Sequence, residues 1–179
     1  MKEIVKEYGG GLYELAVEEG AELEERLLAE TRMLGEVLTD SYLRLLTTPE
    51  IPKTERVGLA AEALDGRVHP YLMNFVAIMI ERGAAREIPG CFEEYERLYF
   101  QRHGILRASA ESAVPLTDAQ REKLTARLEA RTGMRIELSC TVTPGLIGGI
   151  RLTFDNRLID DTARTKLKTI ANSLAKAVL

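Results

Sequence analysis

Ten residues decide much of what this chain can become. Residues 71–80 read YLMNFVAIMI, with Asn74 as the single polar side chain. Pro70 suits the first position of a helix, and Arg82-Gly83 suits its end. A helix that is apolar all round has no face to give to water, so it must lie inside a bundle or be partly covered by a partner. It falls well short of the roughly 18 apolar residues a bilayer-spanning helix needs, and no other run reaches that length. The opening MKEIVKEYGG lacks the apolar segment of a signal peptide. The chain is therefore expected to stay in the cytosol without inserting into a membrane, while remaining able to dock on a membrane complex.

Around this helix the first hundred residues carry five more helical stripes. Val5, Tyr8, Leu12 and Leu15 share one face, and Leu23, Leu27, Leu34 and Leu38 share another. A short third helix is expected over residues 42–46, opened by Asp40 or Ser41 and closed before Pro49. Pro52 fits a first helical position ahead of Val57, Ala60, Ala61 and Leu64, with a stop at Asp65-Gly66. Ile88, Phe92, Tyr95 and Tyr99 make the sixth stripe. Six helices with short connections predict an antiparallel bundle over residues 1–104.

The period changes after Gly104. Residues 106–113 are small or alternating and suggest a weak strand. Thr117 and Gln120 have capping-box spacing, Leu124 and Leu128 share a helical face, and Gly133 fits the position just past that helix. Ile136, Leu138, Cys140 and Val142 alternate with polar residues, as do Ile150, Leu152 and Phe154. Asp155-Asn156 suits a hairpin turn into a strand at Arg157-Leu158-Ile159, and Ala163, Leu167, Ile170, Leu174 and Val178 stripe a last helix. The expected fold class is α+β, a helical bundle followed by a small mixed α/β domain over residues 105–179.

Catalytic constellations are hard to find. The cluster Gly145, Gly148 and Gly149 precedes a strand pattern, whereas a phosphate loop lies between a strand and a helix and carries a lysine. These glycines are expected to bend the backbone at Pro144-Gly145 and to allow close approach at Gly148-Gly149. Gly9-Gly10-Gly11 interrupts the first stripe, where each glycine costs roughly 0.8–1 kcal/mol against alanine. Two readings stay open there: a frayed first turn, or a smooth face that admits another helix. Asp160-Asp161 is expected to cap the last helix. His69 and His103 have no partners at metal-ligand spacing, and Cys91 and Cys140 read as free, reduced core thiols. No cofactor and no metal are expected. The net charge of −4, from 24 basic and 28 acidic residues interleaved, offers no field for nucleic acid.

The order of motifs then becomes informative. YGGGLYELA from Tyr8, LLTTPEIPKTER, NFVAIMIERG, SAVPLTDAQREKL and LIGGIRLTFDNRLIDDTARTKL follow one another along nearly the whole chain. In this the sequence resembles the delta subunits of bacterial F-type ATP synthase, relatives of the mitochondrial oligomycin-sensitivity-conferring protein. It departs from their usual pattern with glycine in place of alanine at Gly9 and Gly11, with Thr143-Pro144-Gly145 before Leu146, and with Asp161 where glycine is frequent.

The resemblance implies a non-catalytic stator subunit, peripheral at the cytoplasmic face of the cell membrane. Its helical bundle would hold the N-terminal helix of an alpha subunit between its first and fifth helices, and its C-terminal part would meet the b subunits of the peripheral stalk. The groove residues this suggests are Tyr8, Leu12, Tyr13 and Ala16 with Leu72, Phe75, Val76 and Met79. Two other classes can be set beside it: an RNA-associated or regulatory helical-bundle module, which would need a basic face, and a small enzyme using the glycine cluster and Asp160.

Overall fold

The computed structural model describes residues 2–146, 148–154 and 157–160. Six α-helices come first: α1 (Lys2–Glu19), α2 (Ala21–Val37), α3 (Asp40–Thr47), α4 (Lys53–Leu64), α5 (Pro70–Glu81) and α6 (Ile88–His103), with a 3-10 turn at Ala85–Glu87. Strands and a further helix follow: β1 (Ile105–Ser112), α7 (Asp118–Thr132), β2 (Arg135–Val142), β3 (Ile150–Phe154) and β4 (Arg157–Asp160). The class is α+β. The chain divides into two compact units, Met1–Tyr99 and Phe100–Leu179.

In the first unit the stripes become buried faces. Leu27, Leu46, Leu72, Met79, Ile80 and Ile88 are fully buried, each such side chain stabilising the fold by about 1.5–3 kcal/mol. Tyr95 on α6 is also fully buried. Its ring stands edge-on to Tyr13 of α1 at 5.3 Å, and its hydroxyl donates to the carbonyl oxygen of Glu24 on α2 at 3.0 Å. One side chain thus ties three helices together. Two helix starts differ from the sequence reading. Thr39, not Asp40 or Ser41, caps α3, its side chain accepting from the Tyr42 amide at 3.4 Å. Pro52 is the cap of α4 rather than its first residue, because its backbone is extended, with ψ 143°. Arg56 is buried on α4 and donates through Nη1 to the Leu46 carbonyl at 2.7 Å, which binds α4 to the end of α3.

The glycine run is helical throughout, so the frayed-turn reading is wrong. A Cβ at Gly9 would lie 2.6 Å from the Cys91 carbonyl oxygen and 2.9 Å from Glu94 Cβ, so Gly9 lets α1 and α6 touch backbone to backbone. The close approach is internal to the chain. At Gly11 a Cβ would meet nothing within 4 Å. Opposite outcomes are expected in urea unfolding. Gly11→Ala should stabilise by up to about 1 kcal/mol through helix propensity, whereas Gly9→Ala should destabilise by about 1–3 kcal/mol because backbone must move.

The second unit is built on a sheet of order β2-β1-β3-β4, with β1 parallel to β2 and antiparallel to β3. The strand that looked weak is central. Its alanines are required by packing: Ala108 and Ala110 are almost fully buried, and Ala108, Leu128 and Phe154 form a core joined by Leu106, Leu124, Ile136 and Leu138. The capping box of α7 is complete. The Thr117 amide donates to Gln120 Oε1 at 2.9 Å, the Gln120 amide donates to Thr117 Oγ1 at 3.3 Å, and Gly133 closes the helix in the left-handed region. Asp160 is the last residue of β4, opposite Arg151 in the strand ladder, and the helix it is expected to cap lies outside the described residues. Asp155-Asn156, Asp161 and the last helical stripe lie outside the described residues.

Candidate functional site

Both glycine clusters lose their claim as ligand loops. Gly148 and Gly149 have φ of 146° and 87° in the segment leading into β3, a conformation that favours glycine. A Cβ at Gly148 would meet nothing within 4 Å among the described residues, so at Gly148 the need is for backbone freedom and not for close approach. Directly after them comes strand β3 and not the helix start that a phosphate loop requires. His69 is occupied in capping α5, its Nδ1 accepting from the Tyr71 amide at 3.3 Å while its own amide donates to Glu30 Oε2 at 2.7 Å.

The cysteines differ from each other. Cys91 is buried, and burial, with the Glu87 carboxylate adding to it, pushes its thiol up to about 11. Cys140 is half-buried and not a core thiol, because it lies on β2 at the edge of the sheet. At pH 8 only about one in a thousand Cys91 side chains would be thiolate. Iodoacetamide at that pH is expected to label Cys140 alone in the native chain, and both cysteines once it is unfolded. Intact-mass analysis reads the difference.

The surface feature that stands out lies within the first unit. A groove of about 530 Å³ runs between α1 and α5, lined by Glu7, Tyr8, Gly11, Leu12 and Leu15 on one wall and Tyr71, Asn74, Phe75 and Ile78 on the other. Leu12 and Phe75 are buried in its floor, while Leu15 and Ile78 are 38% and 45% exposed. Exposed large apolar side chains facing one trough are what a helix-binding surface requires. At one end the Tyr71 hydroxyl donates to Glu19 Oε1 at 2.7 Å, which joins the last turn of α1 to the first turn of α5 and sets the two helices antiparallel. Accepting that hydrogen bond, the Glu19 carboxylate holds the Tyr71 phenol above its ordinary range.

Of the eight residues proposed from sequence, the groove brings together Tyr8, Leu12 and Phe75. Tyr13, Ala16, Leu72, Val76 and Met79 are interior, at 7%, 0%, 0%, 3% and 0% exposure, and cannot present their side chains to a partner. They point to the other side of the same apolar arc. Leu15, Ile78, Gly11, Tyr71, Asn74 and Glu7 line the groove in their place. The one polar residue of the stretch 71–80 was the available signal: Asn74 is exposed, so the helix does have an outer face, and Ile78 lies one turn further along it.

Comparison with known proteins comes from sequence and from fold. The profile of a family described as "ATP synthase delta (OSCP) subunit" matches residues 4–174. The chain is 32% identical over 173 residues to the ATP synthase subunit delta of Laribacter hongkongensis, covering 96% of each chain. It is 31% identical over 176 residues to that of Gloeobacter violaceus, covering 97% of this chain and 95% of the relative. For Symbiobacterium thermophilum the identity is 28% over 176 residues, covering 97% and 94%. A chain of the Toxoplasma gondii mitochondrial ATP synthase hexamer has the same fold, with a TM-score of 0.69 over 96% of this chain and 97% of that one, at 17% identity.

Proposed function

We propose, since this chain belongs to the ATP synthase delta (OSCP) subunit family, that its α1–α5 groove receives the N-terminal helix of an alpha subunit. Members of the family are stator subunits and not catalysts, and so is this chain. Membership leaves the RNA-associated or regulatory module without support, and the small enzyme likewise.

In this reading the six helices over residues 1–104 act as an antiparallel bundle seated on the catalytic head. Residues 105–179 meet the b subunits of the peripheral stalk. The protein sits at the cytoplasmic face of the cell membrane through the complex, and among the described residues no helix is long and apolar enough to cross a bilayer. The observation that carries the groove assignment is the exposure of Leu15 and Ile78 on facing walls. Covering them would contribute about 1 kcal/mol or more each, and anchors at helical spacing match an amphipathic helix.

Titration calorimetry of the full chain with an alpha-subunit N-terminal peptide tests this. Binding at micromolar concentration or tighter is expected, with a negative heat-capacity change from apolar burial. Absence of heat at those concentrations would remove the groove assignment.

A further inference from the structure

The geometry points to an amphipathic helix carrying lysine or arginine along one flank only as the occupant of the α1–α5 groove, with that flank fixing the direction in which it lies. This rests on the groove reading above and specifies its partner's chemistry. At 100° per residue, Glu3, Glu7, Glu14 and Glu18 fall within about 60° of one another on α1. All four are exposed. Their row lies beside the arc that carries Gly11 and Leu15 into the groove, and Glu7 itself lines it. Lys6 falls about 90° away from the middle of the row.

The opposite wall is different in kind. Its exposed residues are Asn74 and Ile78, and the only charged side chain of α5 is Glu81 in the last turn. One rim of the groove is therefore a line of carboxylates about 22 Å long, and the facing rim is nearly neutral.

That asymmetry has a geometric consequence. A helix lying in a groove can be turned end for end with its apolar stripe still facing down, and the turn exchanges its flanks. A partner with bases on one flank gains attraction in one direction and forgoes it in the other. Four exposed ion pairs together make the preferred direction roughly tenfold tighter.

The probes are two synthetic peptides of about 18 residues, long enough to span the row. They share a leucine stripe and carry four lysines on one flank or the other, with a nitroxide at the N-terminus. Each is added to the isotope-labelled full chain, and line broadening of backbone amides is read at the two ends of α1. The two peptides are expected to broaden opposite ends, and to weaken about tenfold between roughly 50 and 300 mM salt. The variant Glu3→Gln, Glu7→Gln, Glu14→Gln, Glu18→Gln should lose both the preference and the salt dependence. If both peptides broaden the same end, or the quadruple variant keeps the preference, this inference falls and the groove reading stands. If the designed peptides fail to bind while the alpha-subunit peptide binds, it also falls alone. If neither kind of peptide perturbs the groove, or a second copy of the chain occupies it instead, both readings fall together.

Discussion

Tyr95→Ala is expected to destabilise the first unit by about 3–5 kcal/mol, the range for removing a fully buried large side chain and leaving its cavity. Tyr95 has no exposed surface, and its ring meets Tyr13 edge to face. The cavity would open where α1, α2 and α6 converge, and it would remove the hydroxyl donated to the Glu24 carbonyl. Tyr95→Phe separates the contributions. It keeps the ring and loses one hydrogen bond, and should cost about 1 kcal/mol. Urea unfolding followed by far-ultraviolet dichroism reads both. The midpoint should fall with little change in slope if the native and unfolded ensembles keep their compactness. A Tyr95→Ala variant within about 1 kcal/mol of wild type would mean that the three helices do not depend on this contact.

Ile78→Asp is expected to weaken binding of the alpha-subunit peptide by about a hundredfold or more while changing stability by less than about 0.5 kcal/mol. The two effects separate because Ile78 is 45% exposed before any partner arrives. Water solvates the new carboxylate in the free chain. Docking would strip that water and leave the charge against apolar side chains with no counter-ion beside it. Leu59→Asp is the matched control, since Leu59 is 43% exposed on α4 and does not line the groove. Equal losses of affinity in both variants would show that the peptide responds to net charge and does not sit between α1 and α5.

The elements were more legible than the site. Helical stripes, the Thr117–Gln120 box and the alternation of β2 and β3 are patterns among neighbouring residues, readable without knowing what packs against them. Which edge of a stripe faces outward is not a local property. Ala16 and Leu15 are neighbours in the sequence, yet Ala16 is fully buried and Leu15 lines the groove. Only the position of α5 relative to α1 decides between them. Gly9 and Gly11 make the same point, because their difference is set by the Cys91 backbone some eighty residues away along the chain. The strength of β1 was misread for a related reason: alanine is a weak strand former in isolation, and a good one where packing leaves room for nothing larger. The resemblance placed the groove between the correct helices, and it took burial to say which side chains face it.

The position of β1 also bears on how the chain is made. It is the first strand to be synthesised and it ends with neighbours on both sides, β2 and β3. On the ribosome, Ser112 leaves long before Phe154 completes the ladder that pairs with it. At about 5–20 residues per second, that is a wait of roughly 2–8 s before its second neighbour is available. During that interval a small-residue strand of low hydrophobicity invites fewer wrong pairings than a valine-rich one would. The two buried alanines therefore serve the nascent chain as well as the finished sheet.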